Sequence, residues 1–204
     1  EISETIIDAS GAAAEVMRLL NKQLNSYPFS REMPFLSDNN LPPERDVSDE
    51  PVRVGVFACT CAGTMSDTID MHRLAREARE WSNVVVSEVM DLACAPHVLR
   101  QLQETIVRDK LNRVVIGACS NRTHESLFQR TVRYAGLNPY LVELVNLRDQ
   151  CAFVHQKQPV VANRKATELM RVAVGRVTAA RPVRKTSYET QRSALIIGGG
   201  LCGV

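Results

Sequence analysis

Nothing in this sequence approaches the roughly 18 to 20 consecutive apolar residues that a membrane-spanning helix needs. An excess of charge of one sign is also missing. The formal net charge of +2 is too small to argue for nucleic acid or an anionic lipid surface as a partner. The opening EISETIIDAS is acidic and polar, so it does not read as a secretory leader. Paired C-x-x-C knuckles, the mark of a zinc ribbon, are absent. What is present is a globular composition, 45% hydrophobic and 24% charged over 204 residues, enough for one ordinary domain with extensions or two small ones. Six cysteines without a leader favour a reducing compartment, where they serve as core, metal or redox residues rather than as disulfides.

Apolar positions at Ile7, Ala12, Ala14, Val16, Leu19 and Leu20 predict an N-terminal helix over 1–24. Five of the nine prolines fall between 25 and 51 among Asp, Asn, Ser and Glu, which reads as a linker. From 52 to 180 short β-branched runs alternate with helical patterns. Strands are expected at 52–58, 84–89, 114–116 and 140–145. The first crossover helix should run from Thr68 to Trp81, started by Ser66 or Asp67. Pro96 should open the second, Ser120 or Asn121 the third, and Gly136 should stop the third. Asn146 caps a short helix with Cys151, and a longer helix follows Pro159. The expected fold is α/β: an open, mainly parallel four-stranded sheet with helices on both faces, flavodoxin-like or Rossmann-like. Residues 181–193 form a polar connector. The strand at 194–197 then runs into Gly198, Gly200 and Gly203, a G-x-G-x-x-G turn suited to a dinucleotide pyrophosphate. The segment 194–204 therefore reads as the truncated start of a further Rossmann domain.

Cys59 and Cys61 follow the first strand, Cys94 the second, Cys119 the third and Cys151 the fourth. Parallel strands point the same way, so all five thiols are expected on one edge of the sheet. Taken singly, each is more simply a buried turn cysteine. Together they suit zinc or an iron–sulfur cluster, and Cys59-Thr60-Cys61 could instead be a dithiol couple. Arg148 lies three residues before Cys151 and His155 four after it, so helical spacing would put the three on one face. Arg122, His124, Arg148 and His155 are the candidates for a shell around the thiols. A solvated or packing role is an equal alternative for each. His72 and His97 have no supporting pattern.

The block GACSNRTHESLFQRTVRYAGLNPYLVELVNLRDQCAFVH, Gly117 to His155, closely resembles the N-terminal region of the A-subunit family of heterodisulfide reductases. The Cys-x-Cys after the first strand and the closing ALIIGGGLCG occur in the same order. The family pattern has proline where Asn121 and Ser126 stand, and Ser-Trp in place of Ala152-Phe153; the cysteines are intact. The resemblance implies a cytoplasmic electron-transfer protein, with a [4Fe–4S] cluster here and FAD in the domain that follows. Cys94, Cys119 and Cys151 are the leading ligands, completed by Cys59, Cys61 or both. Partners would be other heterodisulfide-reductase-like subunits or an oxidoreductase that donates or accepts electrons. Residues 1–24 are similar to the closing helix of a preceding flavin domain. The isolated segment is expected to have no turnover of its own.

Overall fold

The computed structural model describes residues 41–184, together with 186, 188, 189 and 197. Two compact units divide the chain. The larger, Phe35–Val183, holds the whole described sheet. The expected helix at 1–24, the glycine turn with Gly198, Gly200 and Gly203, and Cys202 lie outside the described residues.

Four parallel strands form the sheet, β1 (Val54–Cys59), β2 (Val84–Met90), β3 (Arg113–Ala118) and β4 (Val142–Asn146), in the order β2-β1-β3-β4. Helices α1 (Met71–Arg79), α2 (Pro96–Arg108), α3 (Asn121–Tyr134) and α4 (Pro159–Ala179) connect and cover it. This is the expected α/β architecture, and the strand order settles it as flavodoxin-like. The central strands β1 and β3 are buried along their whole length, which their continuous apolar runs require. The outer strands β2 and β4 are half-buried. Helix α1 packs on α4, and α2 on α3, so each face of the sheet is closed by a pair.

The order reverses between β1 and β3: the chain leaves β1 to one side, then crosses back to the other. In open parallel sheets that reversal opens a crevice at the carboxyl ends of the two strands. Register makes the position concrete. Ala58 pairs with Gly117, and Cys59, one residue on, pairs with Met90 on the other side. Cys59 and Cys119 therefore end neighbouring strands at the reversal.

Two local features hold this frame. Gly117 lets α4 approach β3: a Cβ there would stand 2.6 Å from Leu147 Cδ1 and 2.7 Å from Met170 Sδ. Helix α3 stops where the sequence predicts, because Gly136 takes φ +81°. Its N–H donates to Arg133 O, and Leu137 N–H to Val132 O, the paired bonds of a Schellman ending. Helix α1 instead starts later than expected, at Met71, capped by Asp70 accepting from Arg73 N–H at 2.8 Å. Ser66 and Asp67 are taken up in the turns after β1.

The segment 41–51, read from composition as part of a linker, packs onto the amino edge of the sheet. Val47 is fully enclosed, Arg45 Nη2 donates to Leu111 O at 2.8 Å, and Arg133 donates to Pro42 O. Polar residues disguise this strap, since all its attachments except the buried Val47 are polar contacts to distant residues. Buried Asn138 clasps both ends of the domain. Its Nδ2 donates to Glu44 Oε1 at 2.7 Å and to Val183 O at 2.9 Å. On the same edge Arg113, buried, caps α4 by donating to Val177 O at 3.0 Å and Ala180 O at 2.9 Å.

Candidate metal centre at the carboxyl edge

Cys59 ends β1 with its side chain enclosed. Its sulfur accepts two backbone N–H bonds, from Cys61 at 3.2 Å and from Ala93 at 3.3 Å. The first donor comes from its own turn, the second from the loop that carries Cys94. Such donors stabilise charge on sulfur. Beyond Cys59, three consecutive residues, Cys61, Ala62 and Gly63, take φ of 55°, 52° and 87°. Left-handed backbone at two non-glycine residues costs of order 1–3 kcal/mol each and persists only where surrounding contacts impose it. The imposing contacts are here. Thr60 N–H donates to Met90 O at 2.8 Å, Ala62 N–H to Asp91 O at 2.9 Å, and Thr60 Oγ1 to Asp91 Oδ1 at 2.7 Å. The turn after β1 is thereby laced to the turn after β2.

Cys94 stands in that second turn, half-buried, two residues before Pro96 opens α2. Cys119 follows β3, buried, and Ser120 caps α3 by accepting from Arg122 N–H at 3.3 Å. Two helix N-termini thus begin within two residues of a cysteine, each bringing partial positive charge to the edge.

The thiols act on one another. Burial pushes the Cys59 thiol above the ordinary range, against the N–H groups of Ala93 and Cys61, while Cys61 and Cys94 add to the rise. Burial also raises Cys119; Arg148 opposes the shift, and Cys61 and Cys94 reinforce it. Arg148 is held charged by Asp149 foremost, and Cys119 and Cys61 add to that effect. Cys59, Cys61, Cys94 and Cys119 therefore share one electrostatic neighbourhood, with Arg148 beside them.

Cys151 is set apart from that group. Fully buried, its thiol donates to Ala162 O in α4 at 3.1 Å. Burial raises its pKa, opposed by Lys165 and by the backbone of Ala166. The expected common face of Arg148, Cys151 and His155 does not form, for a geometric reason. Arg148–Ala152 is a π-helical turn and Phe153–His155 a 3₁₀ turn. The wider turn followed by the tighter one breaks the α-helical period on which the expectation rested. Arg148 Nε donates to Asp149 Oδ1 at 3.0 Å, whereas His155 Nε2 lies 3.4 Å from Lys165 Nζ. His124 packs edge-on against Phe128, ring centroids 6.5 Å apart. Arg122 borders a cleft of about 460 Å³ along the free edge of β4, shared with Asn146 and Arg176.

Sequence reasoning missed Asp91 and the Ala93 N–H. Asp91 carried a faint signal, three residues before Cys94. A backbone donor carries none.

Among the described residues no three His, Cys, Asp or Glu side chains are close enough to hold a single metal ion. Tetrahedral zinc, with sulfurs about 2.3 Å from the metal, requires thiolates nearly in contact. A cubane takes one thiolate at each iron corner and holds them farther apart. All-sulfur donors, N–H groups aimed at sulfur and an adjacent guanidinium suit such an anionic cluster.

The fold and its edge define a doubly wound α/β domain with a cysteine-lined carboxyl margin, set at the topological reversal where such folds bind their ligands. No family profile matches the chain. Among individual proteins, it is 38% identical over 153 residues to the A-subunit of the ferredoxin/F420H2-dependent CoB–CoM heterodisulfide reductase of Methanosarcina acetivorans, covering 75% of this chain and 19% of that protein. It is 37% identical over 155 residues to the first of two iron–sulfur A-subunits of the CoB–CoM heterodisulfide reductase of Methanopyrus kandleri, covering 76% and 23%. The A-subunit of the H2:CoB–CoM heterodisulfide, ferredoxin reductase of Methanothermobacter thermautotrophicus is 37% identical over 161 residues, covering 79% and 24%. The chain belongs to the A-subunit family of heterodisulfide reductases, and it spans about a fifth to a quarter of the length of these relatives. Among the described residues no helix is long and apolar enough to cross a membrane.

Proposed function

We propose that the domain carries one [4Fe–4S] cluster on its carboxyl edge and relays single electrons to or from a neighbouring FAD. The ligands in this reading are Cys59, Cys61, Cys94 and Cys119. The observation that carries it is the arrival of these four cysteines at the carboxyl ends of β1, β2 and β3, beside the topological reversal, with the turns after β1 and β2 laced together. The relatives' names support an iron–sulfur cofactor, since both matched A-subunits of Methanopyrus kandleri are called iron–sulfur subunits.

The cluster supplies one-electron transfer when bound. The protein's part is to hold the thiols apart at fixed positions and to offer N–H groups to sulfur charge. Cys59 receives two such groups. Binding displaces the thiol protons, because burial keeps Cys59 and Cys119 protonated in the metal-free protein. Cys151 is assigned to packing against α4. The FAD belongs to a domain that begins at the Gly198, Gly200 and Gly203 turn, and the protein works in the cytoplasm with other members of a heterodisulfide-reductase-like complex.

Anaerobic reconstitution with iron and sulfide tests this. The chain should take up about four irons and four labile sulfides and give a reduced-cluster EPR signal. Replacing Cys59, Cys61, Cys94 or Cys119 by serine should abolish or alter the signal, and Cys151→Ser should leave it. Stoichiometric zinc without labile sulfide, a reversible Cys59–Cys61 disulfide in its place, or loss of the signal in Cys151→Ser alone would refute the assignment.

A further inference from the structure

We infer that Arg148 is a positioning residue that sets the reduction potential of the thiol-edge centre, its guanidinium held at the carboxyl edge, next to the strand end that leads into Cys119, by Asp149 and Asn146. The inference rests on the reading of those thiols as cluster ligands.

The arrangement is built outward from the sheet. Asn146 is the last residue of β4 and pairs in register with Ala118, the residue before Cys119. Its Oδ1 accepts from Asp149 N–H at 2.9 Å, and its Nδ2 donates to Asp149 Oδ2 at 3.3 Å. Asp149 Oδ1 in turn accepts from Arg148 Nε at 3.0 Å. On the other side the guanidinium carbon lies 5.9 Å from the centre of the Phe153 ring. A long side chain is thus fixed at two points, two residues past the end of β4 and beside the strand that leads into Cys119. The π-helical turn makes this possible by turning Arg148 toward the edge and Cys151 toward α4.

A fixed cation next to a thiolate-ligated cluster stabilises the form with the added electron. Asp149, a carboxylate, acts in the opposite sense. The arginine is partly exposed, so solvent screens it and the effect is a fraction of the buried limit. Arg148→Gln should lower the reduced-to-oxidised ratio at a fixed potential about tenfold, a shift of about 59 mV downward for one electron. Arg148→Lys keeps the charge and should recover most of that shift. Asp149→Asn keeps an oxygen that can accept from Arg148 Nε and removes only the carboxylate charge, so it should move the potential upward, a reversal of sign that a loss of packing would not produce.

The test is an EPR-monitored redox titration of the full 204-residue chain after reconstitution, wild type beside the three variants. Shifts of the stated signs support the inference. A cluster that assembles in all four proteins at one unchanged potential overturns it and leaves the proposed function standing. No cluster in the wild type overturns both. Should Arg148→Gln fail to assemble, Arg148→Met decides: a downward shift supports the role, and an unchanged or raised potential refutes it.

Discussion

Substituting Gly117 by alanine tests whether the thiol edge and the helix layer are one packed unit. The new methyl carbon would stand 2.6 Å from Leu147 Cδ1, 2.7 Å from Met170 Sδ and 3.1 Å from Met170 Cε. Comfortable carbon contacts begin near 3.5 Å, so each neighbour must retreat by about 0.8 Å. Both are side-chain ends that could swing aside at a surface, but Leu147 and Met170 are completely buried. Overpacking of this kind costs typically about 1–3 kcal/mol. Against it, alanine restricts the unfolded chain and recovers roughly 0.5–1 kcal/mol. The net expectation is a loss of about 1–2 kcal/mol, or a melting temperature lower by about 3 to 6 °C. Met170→Ala alone should cost about 2–5 kcal/mol through its cavity. Combined with Gly117→Ala, that cavity receives the methyl, so the double variant should be more stable than the sum of the two losses by at least about 1 kcal/mol. Urea unfolding of the four proteins measures the cycle. A neutral Gly117→Ala with additive energies would show that α4 does not seat on β3 through this contact.

Thiol alkylation of the metal-free protein should proceed first at the half-buried Cys61 and Cys94 and lag at Cys59, Cys119 and Cys151. Burial raises the last three, so their thiolate fraction is small near pH 7 and the lag should narrow as pH climbs above the ordinary thiol value of about 8.5; mass spectrometry of a pH series reads this directly, and a pH-independent hierarchy would contradict it. Arg113→Ala removes the cap on α4, leaving the Ala180 carbonyl without this donor and Val177 O with the Ala180 N–H alone, which should cost about 1–3 kcal/mol in urea unfolding, with faster amide exchange in the last turn of the helix. Gly136→Ala meets no steric barrier nearer than Pro43 O at 3.6 Å, so its penalty should be the left-handed backbone alone, about 1 kcal/mol.

The strands were legible because β1 and β3 are central: Val54-Gly55-Val56-Phe57-Ala58 and Val114-Val115-Ile116 are apolar on both faces, as strands buried on both sides must be. Local helix signals were legible too, since Ser120, Pro96 and Gly136 act within a single turn. Strand order was not, because nothing in the text distinguishes β1–β3 adjacency from β2–β3, yet that adjacency is what places Cys59 beside Cys119. Five cysteines could be set after strands by reading along the chain; which way each side chain turns could not. For Cys151 the answer depends on a π-helical turn, a one-residue departure in pitch that leaves no compositional trace. The strap at 41–51 was missed for a related reason. Its anchors are Arg45 to a carbonyl and Glu44 to Asn138, long-range polar contacts that look like solvated residues when read along the chain.

Asn138 gives the domain a mechanical character. Because one side chain grips both Glu44 and Val183, tension applied at these two ends of the domain falls first on that clasp and then on the strap beside it. The sheet would peel from its amino edge, and the turns laced by Thr60 and Asp91 would be the last to feel the load. The thiols thus sit across the sheet from the Asn138 clasp, at the opposite ends of the strands.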